Sequence, residues 1–139
     1  MKSLKAIIAG SVFIGIVLLL LQLAYVFVAV GYNALAANFS FLKEIEGLFR
    51  YLIGLPLFIM IMFVGGYITA SIAKIQDSIK MWLHCMAVAL ITVGSMMYSA
   101  MENSALTTTG IVVIVVALSA SSAGGIYWLR GRKKLIKNS

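Results

Sequence analysis

Charged residues are scarce in this 139-residue sequence: they make up 11% of the chain, against a hydrophobic fraction of 63%. A soluble domain carries about 25% charged residues, because water must solvate its surface. The 11 Lys and Arg and the 4 Asp and Glu are too few to cover a water-soluble globule of this size. They are enough to cover the two ends of a helical bundle whose sides face lipid. The composition therefore predicts an integral membrane protein, with one domain covering residues 1–139.

Residues with strong ligand or catalytic chemistry are equally scarce. The single cysteine, Cys85, excludes an intramolecular disulfide and a metal site built from cysteines. The single histidine, His84, is its neighbour, and adjacent residues on a helix point about 100° apart, so the two do not form a natural chelating pair. The sequence also lacks a carboxylate pair and a glycine-rich phosphate-binding loop. We therefore expect no catalytic residue, no metal site and no cofactor, and predict that the protein is not an enzyme.

Four uncharged apolar runs cover most of the chain. Each meets or exceeds the roughly 20 residues that cross a hydrocarbon core of about 30 Å. In lipid the backbone must satisfy its own hydrogen bonds, so each run is predicted to be a helix. The first run is longer than the roughly 7–15 apolar residues of a signal peptide, which favours an uncleaved first helix. The predicted spans cover residues 6–32, 53–74, 81–101 and 107–129.

The connections between these spans predict how the helices are arranged. The connections at 74–80 and 101–106 are short, so the second, third and fourth helices are expected to be antiparallel neighbours. The predicted fold class is an all-α membrane protein with four transmembrane helices in an antiparallel bundle. Glu102, followed by Asn103 and Ser104, is interpreted as a polar turn that caps the fourth helix.

The segment between the first two spans has a pattern of its own. Apolar residues recur at helical spacing from 41 to 52, which predicts a short amphipathic helix at about 40–52 in the outer membrane interface. The polar residues on its opposite side are Ser40, Lys43, Glu44, Glu46 and Arg50. Gly54 and Pro56 follow, and proline suits the first turn of a helix, so the chain is predicted to bend there. If the two helices were instead continuous, Pro56 would kink them.

Basic residues are unevenly distributed between the two sides of the predicted membrane. Of the 11 Lys and Arg, only Lys43 and Arg50 lie in the first loop, and the other nine lie at the N-terminus, in the second connection and in the tail. Cytoplasmic flanks carry the excess of Lys and Arg, so both termini are predicted to be cytoplasmic, in a bacterial inner membrane. Short basic flanks are not an extended basic face, so nucleic acid is not an expected partner.

The basic tail, residues 130–139, has a second possible role. Beyond setting topology, it is expected to attract anionic lipid at about 1 kcal/mol per residue near the surface. The residues concerned are Arg130, Arg132, Lys133, Lys134 and Lys137.

Inside the predicted spans the polar residues are neutral. Charges at membrane depth normally mark transport or proton relay, and their absence here makes a proton-coupled carrier unfavourable. Gln22 and Tyr25 share a face of the first span, while Thr92, Ser95 and Ser99 form a stripe on the third. We predict that Gln22 hydrogen-bonds to this stripe and stabilises helix packing by roughly 0.6–2 kcal/mol. The alternative is a polar lining for the path of a small solute.

Small residues recur at four-residue spacing on the second and fourth spans. In lipid there is little hydrophobic drive between helices, so close backbone approach supplies packing energy. The predicted helix-packing residues are Gly65, Gly66, Thr69, Ala70, Ala73, Ser121, Gly124 and Gly125. They fit either internal packing of one bundle or a docking face for a partner helix.

These patterns predict a small non-enzymatic membrane protein that acts through helix–helix contacts. It would be an accessory subunit, an assembly or immunity factor, or a homo-oligomer. The expected partners are membrane lipids together with further copies of the chain or another membrane protein. The alternative is a pore, a holin-like hole or a permease for a small neutral solute, lined by the polar residues of the first and third spans.

Overall fold

The computed structural model describes residues 2–36, 38–74, 77–100 and 108–137. These residues form four α-helices and no strand: α1 (Lys2–Ala36), α2 (Ser40–Ala73), α3 (Ser78–Ala100) and α4 (Thr108–Lys137). The interpretation of 102–104 as a cap for the fourth helix falls outside the described residues.

Each helix contains a stretch long and apolar enough to cross a membrane. These stretches are Ser3–Leu35, Ile53–Ala73, Ser78–Tyr98 and Gly110–Lys134. Over the described residues, the prediction of an all-helical fold with four helices long and apolar enough to span a membrane is thereby confirmed. The fourth helix continues beyond its predicted end at 129 into the basic tail, because Lys and Arg are good helix formers and favour a helix C-terminus.

The second helix differs from its predicted form. The structure contains one continuous helix from Ser40 to Ala73, with Pro56 inside it, rather than an interfacial helix at 40–52 followed by a separate span. Proline has no N–H to donate to the carbonyl of Leu52, yet the helix continues through it. The side chains of 40–52 lie outside the described part of the structure, so their amphipathic placement stays a prediction.

The short connection between α2 and α3 is built from local hydrogen bonds. Lys74 ends α2 in a left-handed conformation, with φ 49°, and its N–H donates to the carbonyl of Ala70 at 3.1 Å. The carboxylate of Asp77 then accepts from the N–H of Ile79 at 3.0 Å. Its backbone carbonyl accepts from the N–H of Met81. Asp77 thus caps α3, a role that sequence analysis did not assign to it.

Two clusters of buried side chains hold the helices together. The larger one includes Ile14 from α1, Met62 from α2, Val88 and Val93 from α3, and Ala117 from α4. The smaller one consists of Ala70, Met81, Cys85 and Leu129. It lies nearer the basic ends of the helices, which are the start of α1, the connection between α2 and α3, and the end of α4. The larger cluster lies near the middle of α3 and in the first half of α4, whereas the smaller one lies near the basic ends, so the packed core extends from the middle of the bundle to the basic ends.

Only the first half of α1 joins this core. Ala6, Gly10 and Ile14 are buried at intervals of four residues, which turns one face of the helix toward α2. Beyond residue 18 the helix is largely exposed, with Leu19 at 67% and Phe27 at 71% of their full accessibility. In the described chain α1 contacts α2 and α3 but not α4.

Candidate functional site

The neutral polar residues of α1 and α3 meet in one groove on the side of the bundle. This α1/α3 groove is lined by Ser11, Gly15 and Gln22 from α1 and by Thr92 and Ser95 from α3, and encloses about 480 Å³. The α1 residues are four and seven positions apart and the α3 residues three apart, so each set lies on one helical face. The groove brings together three of the five predicted intramembrane polar residues.

The other two predicted polar residues are not part of the lining. Tyr25 is half exposed, at 50%, on a more distant turn of α1. The side chain of Ser99 lies outside the described part of the structure.

The two groove hydroxyl groups of α3, those of Thr92 and Ser95, each donate a hydrogen bond within their own helix. Thr92 Oγ1 donates to the carbonyl of Val88 at 2.9 Å, and Ser95 Oγ donates to the carbonyl of Thr92 at 2.7 Å. Gln22 makes no hydrogen bond to either hydroxyl among the described residues. The groove therefore brings Gln22 and the stripe together without the predicted bond between them.

Two groups in the α1/α3 groove have unused hydrogen-bonding capacity. Ser11 Oγ is buried and has no partner in the part of the chain that the structure describes. The amide of Gln22 is exposed within the apolar stretch of α1 and has no described partner either. Leaving such a group unpaired in an apolar environment costs about 1–3 kcal/mol. These groups are normally paired in native proteins, which points to a partner group outside the described residues.

Ser11 and Gly15 were missed by sequence analysis. Nothing lies within contact distance of a Cβ placed on Gly15, so this small residue faces open space rather than the core. Ser11 and Gly15 stand four residues apart and have the spacing of a helix-packing pair. That spacing, extended to Gln22 seven residues on, is the signal that could have identified them.

The small residues of α2 and α4 face each other inside the bundle. A Cβ on Gly66 would collide with the backbone of Ser121, and one on Gly124 would collide with the backbone carbonyl of Phe63. The Ser121 hydroxyl, buried at this contact, donates to the backbone carbonyl of Cys85 at 3.0 Å. These contacts are those of internal packing, in which α2 and α4 approach until their backbones touch.

The second glycine of each pair faces a different helix. A Cβ on Gly65 would collide with Ile14 of α1, and one on Gly125 would collide with Cys85 of α3. Thr69 is buried and donates to the carbonyl of Gly65 at 2.8 Å. Ala70 is buried as well, and Ala73 is partly buried. Each glycine pair therefore lets two neighbouring helices approach at once.

Cys85 and His84 contact different neighbours. The buried Cys85 thiol donates to the carbonyl of Gly66 at 3.6 Å. His84 lies at the basic end, where Nε2 contacts the hydroxyl of Ser3 and Nδ1 is 2.6 Å from the carbonyl of Lys80. The histidine thus links the start of α1 to the start of α3, a contact that the sequence pattern does not reveal.

The basic tail continues α4 as helix. The guanidinium of Arg132 lies 5.3 Å from the centre of the Trp128 ring, a cation–π contact. Arg130, Lys133 and Lys134 are exposed. The side chain of Lys137 lies outside the described residues.

The chain was compared with protein-family models, curated proteins and solved structures. No protein-family model, curated protein or solved structure matches the chain. The α1/α3 groove, the contact between α2 and α4 and the basic end are therefore the features from which a function is inferred.

Proposed function

We propose that this chain is a non-enzymatic membrane protein that acts through helix–helix contacts, with the α1/α3 groove as its contact surface. The observation that carries the proposal is the pair of unpartnered polar groups there, Ser11 Oγ and the Gln22 amide. Lipid tails cannot accept or donate a hydrogen bond, whereas a polar side chain on a docked helix can. Interhelical hydrogen bonds of this kind contribute about 0.6–2 kcal/mol in membranes.

The shape of the groove supports the same proposal. Gly15 has open space where its Cβ would be, and Ser11 is the next small residue along the same face. A partner helix could approach α1 closely at this point, as α4 approaches α2 within the bundle. The small residues of α2 and α4 are less suited to this role, because their closest contacts are already made with other helices of the same bundle.

The length of α1 adds further support. Its apolar stretch, Ser3–Leu35, has 33 residues and so a length of about 50 Å, against a hydrocarbon core of about 30 Å. A helix longer than the core must tilt, thicken the bilayer or associate with other helices. Association would also cover the exposed second half of α1.

We propose that the bundle is antiparallel, with both termini in the cytoplasm and the chain in a bacterial inner membrane. Gly10 lies against Thr69 while Ile14 lies against Gly65, as expected for α1 and α2 running in opposite directions. The contact of Ser3 with His84 joins the starts of α1 and α3. The resulting concentration of basic residues at one end is the pattern of a cytoplasmic face. Residues 40–52 would then lie at the outer interface.

The partner would be a helix of another membrane protein or of a second copy. In the first case the chain is an accessory subunit or an assembly or immunity factor, and in the second it is a homo-oligomer. Membrane lipid surrounds the rest of the bundle, and nucleic acid has no part in the proposal.

The test compares two glycines of α1 that both face open space. Gly15 lies in the α1/α3 groove, and Gly31 lies outside it. A Cβ at either position meets no described atom of the bundle, so both Gly15→Leu and Gly31→Leu should fold. We expect Gly15→Leu to abolish a crosslink between α1 and its partner in native membranes, and Gly31→Leu to retain it. Mass spectrometry of the crosslinked product identifies the partner, and equal crosslinking in both variants would contradict the proposal.

A second candidate is a pore or permease for a small neutral solute. Its support is that Gln22, Thr92 and Ser95 line one groove, since several copies could turn these polar groups toward a shared path. Gln22→Leu separates the two candidates when the chain is reconstituted in liposomes. Loss of flux for a solute such as glycerol, with association unchanged, favours the pore. Loss of association without any measurable flux in the unmodified chain favours the contact surface.

A further inference from the structure

A second groove lies between α2 and α4 at the basic end of the bundle. This basic-end groove encloses about 390 Å³. Its lining includes Tyr67, Ser71 and Lys74 from α2 and Tyr127, Trp128 and Arg132 from α4. Two basic residues, two tyrosines, a serine and a tryptophan therefore line one space toward the basic end of the bundle.

The two cations of this groove are not neutralised within the described chain. Neither Lys74 nor Arg132 forms an ion pair with a described acidic group. Asp77 is close in sequence, but its carboxylate accepts from the N–H of Ile79 at the start of α3. Arg132 is held over the Trp128 ring at 5.3 Å, which orients its guanidinium before any ligand arrives. The groove has the electrostatic character of a site for an anion.

The backbone at Lys74 ends α2 and leaves the lysine side chain at the edge of the groove. Lys74 ends α2 in the left-handed conformation, with φ 49°, where glycine or asparagine is the usual residue. It is the only described residue other than glycine with a positive φ. Lysine adopts this left-handed conformation less readily than glycine does, but unlike glycine it places a cation in the lining of the groove.

The order of residues along α2 matches the order of groups in a phospholipid. Lys74 and Ser71 are followed, deeper in the membrane, by Tyr67, Val64 and Met60, which are all exposed. The rise from Lys74 to Val64 is about 15 Å, half of a hydrocarbon core of about 30 Å. Cation, hydroxyl, phenol and apolar groups thus succeed one another over the depth of a single leaflet.

The aromatic rings form one wall of this path. The rings of Tyr67 and Tyr127 have their centres 6.4 Å apart, and Phe63 lies 5.9 Å from Tyr127 on the deeper side. Aromatic residues are favoured at the level of the lipid head groups, where one side is apolar and the other is wet. Such a wall suits an acyl chain better than it suits a free ion in water.

We propose that the basic-end groove binds one anionic phospholipid from the leaflet at the basic end of the bundle. Lys74 and Arg132 contact its phosphate, and the Ser71 hydroxyl donates to a phosphate or ester oxygen. One acyl chain lies along Tyr67 and Val64. This site is distinct from diffuse attraction by the tail, because it requires two particular cations on two helices. It does not rest on the helix-contact function, which uses the α1/α3 groove instead.

The site can be tested on the intact chain in a neutral detergent. Trp82→Phe leaves Trp128, in the groove, as the only tryptophan. Phosphatidylglycerol with brominated acyl chains quenches a tryptophan that it contacts, and the unbrominated lipid corrects for other changes in emission. We expect saturable quenching of Trp128 by the brominated anionic lipid and at least tenfold weaker quenching by brominated phosphatidylcholine. Equal quenching by both lipids would overturn the proposal.

Two double variants with the same change of charge give the matched control. Lys74→Gln with Arg132→Gln removes the cations of the groove, whereas Lys133→Gln with Lys134→Gln removes two exposed cations outside it. We expect the dissociation constant for the anionic lipid to rise at least tenfold in the first variant and less than threefold in the second. Equal losses would mean that only total charge matters, which contradicts a defined site.

Two further measurements distinguish a lipid held by Lys74 from a free anion and from a purely structural role of this lysine. Lys74→Gly suits the left-handed backbone, so we expect an unchanged or higher unfolding midpoint together with weaker lipid binding. Unchanged lipid binding in this folded variant would exclude Lys74 from the site. Inorganic phosphate at millimolar concentration should leave the quenching unchanged. Displacement of the lipid by phosphate would instead make the groove a site for a free anion.

Discussion

Among the described side chains, those in the half of the bundle near the basic ends and those in the opposite half are packed very differently. From the middle of the bundle to the basic ends, Gly66 and Gly124 bring α2 and α4 to backbone contact, and the buried clusters join all four helices. In the opposite half, α1 is exposed over most of its length and α3 is exposed from Gly94 to Met96. Both halves are strongly apolar, so hydrophobicity does not explain the difference.

The contrast between α1 and the other helices also shows that hydrophobicity alone does not produce packing. In the most apolar 18-residue window of α1 only 6% of residues are buried, against 33% in the corresponding window of each other helix. Lipid tails solvate a leucine as well as another leucine does, so large apolar residues alone do not draw helices together. Where the helices do pack, small residues let the backbones approach. The packed part of the bundle is therefore marked by small residues that stand at helix contacts, and not by its content of large apolar residues.

The largest expected effect comes from filling the backbone contact between α2 and α4. A Cβ on Gly66 would collide with the backbone of Ser121, which cannot move aside as a side chain can. We expect Gly66→Ala to lower the free energy of unfolding by about 3 kcal/mol or more, because overpacking forces the two helices apart. Unfolding of the protein in mixed detergent micelles measures the change.

Gly31→Ala is the control for Gly66→Ala. Gly31 has open space around it, and alanine is the better helix former by about 1 kcal/mol in water. This variant should be neutral or slightly stabilising. If both substitutions destabilised equally, the difference in packing between the two halves would not govern stability.

Shortening one large apolar side chain in each half tests the comparison further. Ile14 is fully buried in the main cluster, while Val28 on the same helix is 65% exposed. We expect Ile14→Ala to cost about 2–4 kcal/mol, as for a buried residue whose cavity cannot close completely. Val28→Ala should change stability by less than about 0.5 kcal/mol, because lipid replaces the lost methyl groups. A cost for Val28→Ala near that of Ile14→Ala would show that the second half of α1 is packed after all.

The smallest expected effect concerns a single hydrogen bond between helices. The Ser121 hydroxyl donates to a carbonyl of α3, whereas the exposed Ser119 hydroxyl donates to carbonyls of its own helix. We expect Ser121→Ala to destabilise by about 0.6–1.7 kcal/mol, the range of interhelical hydrogen bonds in membranes. Ser119→Ala should be close to neutral. The two values are compared in the same unfolding assay, and a reversed order would exclude the bond as a stabilising contact.

Sequence analysis reached some of these features and missed others for identifiable reasons. The small residues around Gly66 and Gly124 were found by their spacing, but not the helix that each glycine faces. Gln22 was matched with Thr92 and Ser95, and they do share a groove, yet no hydrogen bond joins Gln22 to either hydroxyl among the described residues. Spacing identifies a face of a helix, whereas a bond depends on how far apart two faces stand.

Pro56 shows a similar limit to what the sequence could predict. Its position predicted the start of a new helix, since proline lacks the N–H that continues one. In the structure α2 passes through Pro56 without interruption. The residue type indicated where a hydrogen bond is lost, but whether the chain turns at that point depends on the surroundings of the whole helix.

The sequence by itself determined that the chain forms four long apolar helices with a basic end. Length, lack of charge and the need to pair every backbone group in lipid are local properties, readable along the chain. Only the tertiary structure decided that α2 and α4 use their small residues on each other. It alone also left Ser11 and Gln22 without described partners, and placed Lys74 opposite Arg132. These outcomes depend on the rotation and crossing of helices about one another, which residues far apart in the chain set together.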